Sequence, residues 1–180
     1  MAYARRYRYR AAPGFTLLEL CVSLAVVAVL STLGIPDMRH LIALYRVDCA
    51  SRELLGSILL ARSEAIHRRA RVDVVPNDGV NWASGWQTRR LPARGTAPDS
   101  LIIDSHAALA AGIAIESVLT DRSRPYVAFT ATGRSRTDAS AQTPQAGHIV
   151  FRAGPHERRI VLNFAGRPRL CRPVRDADCD

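Results

Sequence analysis

Three adjacent residues have the side-chain types used in nucleophilic hydrolysis: Asp104, Ser105 and His106. Consecutive side chains of a strand point to opposite faces of a sheet, so these three cannot form a line of nucleophile, base and acid. No Gly-rich loop precedes a helix as in phosphate-binding loops, and metal-ligand spacing is absent among the histidines His40, His67, His106, His148 and His156. We therefore expect neither an enzyme nor a bound metal or cofactor.

The basic chemistry of the chain comes entirely from arginine. The 180 residues include 25 Arg and no Lys, and the formal net charge is +9. The planar guanidinium binds phosphate through two parallel hydrogen bonds and stays charged in proteins. An Arg-only surface therefore suits an anionic partner, although biased base composition of the genome is the simpler explanation for the absence of Lys.

The densest basic stretch lies near the C-terminus, where Arg167, Arg169, Arg172 and Arg175 fall within nine residues. In an extended segment, Arg167 and Arg169 point the same way about 6–7 Å apart, which matches neighbouring phosphates on a nucleic-acid strand. Gly166 permits a tight turn just before them. The pattern predicts a basic hairpin. A nucleic-acid site and a merely exposed basic hairpin are both open interpretations.

The four cysteines are too few for a disulfide scaffold. Cys171 and Cys179 enclose seven residues, and a disulfide between them is the natural interpretation in an oxidising compartment. A two-cysteine metal site is the alternative. Cys49 either competes for one of this pair or stays free, and Cys21 is expected to be a small apolar filler.

An apolar stretch, residues 15–35, follows an N-terminal segment that contains four Arg and no acid. As a helix it would extend about 30 Å, the thickness of a bilayer's hydrocarbon core, with the basic segment on the cytoplasmic side. Glu19 interrupts it and is costly there unless paired. Cleavage between Gly14 and Phe15 would create an α-ammonium four residues upstream of Glu19. That amine, on the same or a neighbouring chain, is the expected partner of Glu19. The alternative is that the Glu19 side chain extends to the membrane–water interface and has no such partner.

The elements that carry these residues follow from periodicity. Pro36 should kink or loosen the helix without ending it, because an apolar stripe with steps of three and four continues beyond it. We expect one helix over residues 15–69, with the stripe at Val47, Ala50, Leu54, Ile58, Ala61 and Ala65.

After residue 71 the apolar period changes to two, which indicates strands. We predict them at residues 72–75, 86–90, 101–104, 113–118, 126–130, 148–152, 159–163 and 167–170. Residues 131–147 lack periodicity and are expected to form a mobile loop. These elements predict an antiparallel β head packed on the helix stripe.

The stretch GFTLLEL at residues 14–20 resembles the processing site of type IV pilins and type II secretion pseudopilins. The resemblance implies that a prepilin peptidase at the inner membrane removes residues 1–14 and that Phe15 is N-methylated. It also implies that Glu19 acts in assembly, with the helices of neighbouring pilins or pseudopilins packed into a filament core.

Three further stretches, residues 60–66, 82–86 and 159–171, resemble the FimT/GspH family of minor pilins and pseudopilins. The family implies an α+β, pilin-like fold: a long kinked N-terminal helix on a small antiparallel β-sheet head. The expected segments are a leader (1–14), a transmembrane or filament-core helix (15–38), its amphipathic continuation (39–71) and a periplasmic head (72–180).

The implied function is that of a minor pilin in type IV pilus priming or at its tip. The alternative is a GspH-like pseudopilin of type II secretion. Trp82 and Trp86 are expected to be core residues.

The C-terminal hairpin also matches a family feature. FimT-like minor pilins of naturally transformable bacteria carry a C-terminal Gly-Arg-x-Arg motif that contacts DNA, and residues 166–169 match it. The resemblance implies that double-stranded DNA is a partner, bound through its backbone. We predict the DNA-binding residues to be Gly166, Arg167, Arg169 and Arg172. A second copy of the pattern, at residues 133–136, shows that an Arg-rich chain forms it easily.

Overall fold

A computed structural model describes residues 14–91, 101–173, 175–176 and 179, with the backbone alone for residues 32–37. The predicted leader therefore lies outside the described residues except for Gly14. The chain divides into two compact units, Met1–His40 and Leu41–Asp180.

One α-helix, α1 (Leu17–His67), begins in the first unit and ends in the second. Its backbone stays helical through Pro36, as predicted. In the first unit the described large apolar side chains are exposed, from 53% at Val26 to 83% at Phe15. Within the described residues, no helix combines the length and apolar character needed to cross a membrane.

The second unit contains a hydrophobic core of its own. The predicted helix stripe is confirmed, since all six of its residues from Val47 to Ala65 are buried. Trp82 and Trp86 join them and are 2% and 0% exposed, which confirms their prediction as core residues. The Trp86 Nε1–H donates to Ser57 Oγ at 2.9 Å, so the indole nitrogen of Trp86 is satisfied inside the core.

All eight predicted strands are present, but they form two sheets where a single small sheet was expected. The first sheet has the order β3-β2-β1-β5 and the second β4-β6-β7-β8, with every pairing antiparallel. The strands are β1 (Val72–Pro76), β2 (Trp86–Arg90), β3 (Leu101–His106), β4 (Ala114–Leu119), β5 (Val127–Phe129), β6 (Gly147–Ala153), β7 (His156–Leu162) and β8 (Pro168–Cys171). Core residues come from α1 and from both sheets.

The segment between β5 and β6 corrects another prediction. Residues 131–147 have almost no regular structure, as expected, but several of them are packed into the head, unlike a loop that lies wholly in solvent. Ser135 and Gln145 are fully buried, and Gln145 Nε2 donates to the Tyr126 carbonyl. The Tyr126 hydroxyl donates to Asp121 and accepts from the Asp138 N–H, both at 2.6 Å. Burial first and the Asp121 contact second raise the pKa of Tyr126, so this phenol stays protonated.

Candidate nucleic-acid interface

The residues of the predicted processing site lie at the start of α1. Phe15 is exposed, and Thr16 Oγ1 accepts from the backbone N–H of Glu19 at 3.2 Å, as an N-cap side chain does. Glu19 occupies the first helical turn, where the helix dipole favours a negative charge. The Gly14–Phe15 peptide bond therefore lies just before a capped helix whose first turn carries the acidic side chain of Glu19.

The β7–β8 turn fixes the direction in which Arg167 leaves the head. Asn163 Oδ1 accepts from the backbone N–H groups of Ala165 and Arg167 at 3.0 and 2.9 Å. The Gly166 N–H donates to the Asn163 carbonyl at 2.9 Å, and Gly166 has φ +74°. Sequence reasoning did not single out Asn163, although an Asn followed three residues later by Gly is a turn signal.

Arg167 and Arg169 line one groove of about 630 Å³ on the β6–β8 side of the head. Both are exposed, whereas Leu170 is half buried against the core, as strand alternation requires. Exposed Phe164 borders the same groove at the turn. The groove therefore combines an apolar floor with two guanidinium groups that make no ion pair within the described residues.

Arg172 does not share the groove of Arg167 and Arg169, unlike the single cluster that the sequence predicts. The Arg172 carbonyl accepts from the N–H groups of Arg175 and Asp176 at 2.9 Å, so the chain turns there. Arg172 and Arg175 line a second groove of about 560 Å³ beside Asp48 of α1. The predicted basic stretch is thus divided between two surfaces.

Asp48 offsets part of the positive charge in the second groove. Its carboxylate accepts from Arg158 Nε at 2.9 Å and from Arg52 Nε at 2.8 Å. Burial raises the pKa of Asp48, but the hydrogen bonds from the two Arg outweigh it and hold the pKa below its usual range. The second groove is therefore less suited to a polyanion than the first.

Cys171 and Cys179 are joined by a disulfide with a Cα–Cα distance of 5.8 Å. Arg159 Nη1 donates to the Cys179 carbonyl at 2.9 Å and fastens the last described residue to β7. Cys49 and Cys21 are free thiols. The bridge therefore closes the C-terminal loop directly after β8, the strand that carries Arg169.

Replacing both bridged cysteines by serine is expected to lower head stability by about 2.5 kcal/mol, because the open loop regains conformational entropy in the unfolded chain. The melting temperature should fall by roughly 5–10 °C. Cys49→Ser is the matched control and should leave both the melting temperature and its response to reductant unchanged. Equal melting temperatures for the double variant and the unmodified protein would show that the bridge adds no stability.

Of the residues considered for catalysis, Asp104 and His106 are half buried and Ser105 is exposed, all on β3. His106 Nε2 lies 3.1 Å from Asp104 Oδ2, and the His106 ring stacks on Trp86 with centroids 5.0 Å apart. Ser105 lies between them in sequence, and strand alternation directs it to the opposite face. Within the described residues, no group of three or more His, Cys, Asp or Glu could hold a metal ion.

A helix packed against antiparallel sheets defines a pilin-like α+β fold, and solved structures share it. FimU, a type IV minor pilin of Pseudomonas aeruginosa, matches with a TM-score of 0.55 and 20% identity, covering 74% of this chain and 95% of FimU. EpsH, a minor pseudopilin of the Vibrio cholerae type 2 secretion system, matches with a TM-score of 0.53 and 14% identity, covering 71% and 98%. These likenesses establish the fold.

The family follows from the sequence. The family profile "Type II transport protein GspH" matches residues 50–166, well over half of the chain, and the protein belongs to this GspH family of minor pilins and pseudopilins. No curated protein sequence gives a significant match. The residues of the predicted processing site precede the matched region, and Arg167 and Arg169 follow it directly.

Proposed function

We propose that the protein is a minor pilin that enters a type IV pilus, in its priming complex or near its tip. The observation that carries the proposal is a GspH-family head on a chain whose α1 starts as an exposed apolar helix with Glu19 in its first turn. A helix that is apolar all round needs a lipid or protein environment. The protein is then held in the inner membrane by one span, with a periplasmic head, after a prepilin peptidase removes residues 1–14.

The head half of α1 supports assembly with other pilins. Ile42 and Tyr45 lie three residues apart, Leu59 and Ile66 lie seven apart, and all four side chains are 44–70% exposed. They lie outside the buried stripe that packs on the sheets. Two exposed apolar pairs at the two ends of this part of α1 are suited to contacts with a neighbouring helix.

We further propose that the head binds double-stranded DNA through Arg167 and Arg169. The rigid Asn163 turn holds Arg167 outward, and strand alternation places Arg169 on the same side of β8. Both guanidinium groups are exposed and make no ion pair within the described residues, so binding phosphate requires no existing pair to break. Contacts of this kind carry little sequence preference.

Gel shifts with the head, residues 41–180, test the DNA proposal, since this unit contains a complete core. Duplex DNA should shift in a salt-dependent manner, and Arg167→Gln/Arg169→Gln should remove most of the shift at 0.1 M salt. Arg46→Gln is the control, because Arg46 is exposed on α1 and does not line the groove of Arg167 and Arg169. An unchanged shift in the double variant would exclude these two residues as the site.

The second candidate function is that of a minor pseudopilin in type II secretion, favoured by the name of the matching family and by the likeness to EpsH. Deleting the gene separates the two candidates. Loss of piliation or natural transformation with normal protein secretion supports the pilin. Loss of secretion with normal piliation supports the pseudopilin.

A further inference from the structure

Two turns of the head have the same backbone hydrogen bonds. In the β7–β8 turn, the Asn163 N–H donates to the Arg167 carbonyl at 3.2 Å and the Gly166 N–H donates to the Asn163 carbonyl at 2.9 Å. In residues 130–134, the Thr130 N–H donates to the Arg134 carbonyl at 3.0 Å and the Gly133 N–H donates to the Thr130 carbonyl at 2.8 Å. Gly133 and Gly166 have φ values of +70° and +74°. Both Gly-Arg-x-Arg copies are therefore built into equivalent turns.

The two turns also touch each other. A Cβ placed on Gly166 would lie 2.6 Å from the backbone nitrogen of Ser135 and 3.2 Å from the Gly133 carbonyl oxygen. Only a glycine permits this approach, and both glycines are buried. A path from the Arg134 Cα to the Arg167 Cα runs through the Ser135 nitrogen, the added Cβ and the Gly166 Cα. With standard backbone dimensions, this path limits the distance between the two Arg Cα atoms to about 10 Å.

The charges around the second turn leave Arg134 available. Arg134 is exposed and, within the described residues, forms no ion pair. Arg136 is half buried, and its Nη1 donates to the Ser135 carbonyl at 2.9 Å. The nearest acid along this segment, Asp138, is paired with Arg71 and Arg124. Arg134 and Arg167 therefore occupy equivalent positions in two turns that touch. In the described residues of these two segments, no unpaired carboxylate lies beside either arginine.

A third arginine lies beside the second turn. A Cβ placed on Gly133 would lie 3.4 Å from Arg62 Nε and 3.0 Å from Ile66 Cγ1, so this turn rests on the last part of α1. Arg62 makes no ion pair within the described part of the chain. Positive charge thus continues from the β7–β8 turn across the second turn to the helix.

We propose that the two turns form one phosphate-binding surface, in which Arg134 contacts a DNA phosphate near the one that Arg167 contacts. This inference rests on the proposed DNA binding of the head and extends it to a second segment. A span of at most about 10 Å between the Cα atoms lets two long side chains reach neighbouring phosphates of one strand, which are about 6–7 Å apart. A paired site of this kind holds the duplex at two points.

Duplex binding by the head, measured over a series of salt concentrations, tests the inference. Each phosphate contact contributes about 0.9 to the slope of log affinity against log salt for B-form DNA. Arg134→Gln should therefore reduce this slope by about one and weaken binding about five- to tenfold at 0.1 M salt. Arg134→Lys keeps the charge and should retain most of the affinity. Arg46→Gln is the matched control for loss of one exposed positive charge.

The outcomes separate this inference from the proposal on which it rests. If the unmodified head does not bind duplex DNA, the proposed DNA binding itself fails. If Arg167→Gln weakens binding while Arg134→Gln behaves like Arg46→Gln, the two-turn surface is wrong and binding through Arg167 stands. Circular dichroism and a cooperative melting transition must match across the variants, which excludes misfolding as the cause of lost binding.

Discussion

Glu19→Ala is expected to remove the protein from sheared filaments while leaving it in the membrane fraction. In the proposed assembly, the Glu19 carboxylate balances an α-ammonium at Phe15 in an apolar helix bundle. Removing one partner of a buried ion pair costs about 3–5 kcal/mol, which corresponds to more than a hundredfold in a binding constant. Quantitative immunoblots of filament and membrane fractions measure the effect.

Two further variants show which property of Glu19 matters. Glu19→Gln keeps the shape of the side chain but loses its charge, and it should also be excluded from filaments. Glu53→Ala is the matched control, because Glu53 is exposed on the head half of α1 and forms no ion pair within the described residues. Normal incorporation of Glu19→Ala would refute the charge-pairing role.

Gly85→Ala should destabilise the head by about 3 kcal/mol or more. Gly85 has φ +86° and ψ −177°, a conformation essentially confined to glycine. A Cβ there would also lie 2.6 Å from the Ala107 carbonyl carbon and would meet the His106 carbonyl oxygen. Because Trp86 pairs with His106, any movement that relieves this clash would displace β3 from β2 beside the core. Thermal melting of the head should show a fall of about 10 °C or more.

Gly79→Ala is the control that distinguishes the two causes of the expected destabilisation at Gly85, the close contact of the added Cβ and the backbone strain. Gly79 has φ +76°, but a Cβ there would meet nothing within 4 Å. The left-handed conformation alone costs about 1–2 kcal/mol. A clearly larger loss of melting temperature for Gly85→Ala than for Gly79→Ala is expected. Equal losses of melting temperature would mean that β2 and β3 accommodate the added Cβ at Gly85 without a further loss of stability.

Local periodicity was enough to predict the regular elements. Steps of three and four along α1 identified the buried stripe from Val47 to Ala65, and alternation identified all eight strands to within a few residues. These signals are local because each reports which side of one element faces the core. The division of the strands into two sheets depends on pairings between distant strands, which periodicity does not report.

Non-local contacts explain where the sequence interpretation was wrong. Residues 131–147 looked like a mobile loop because they lack a period, yet buried Gln145 and the Tyr126 hydroxyl fasten them to the head. The second Gly-Arg-x-Arg copy looked like a product of composition, and only the structure places Gly133 against the Gly166 turn. Arg172 was grouped with Arg167 because a linear stretch does not reveal that the chain turns after Cys171.

The most direct measurement for the proposed function is the intact mass and N-terminal sequence of the protein extracted from membranes of the native host. The proposal predicts a chain that begins at Phe15, lacks residues 1–14 and carries one added methyl group on its N-terminal amine. A chain that still begins at Met1 would contradict the proposal, because no amine would then be present beside Glu19 to balance its charge.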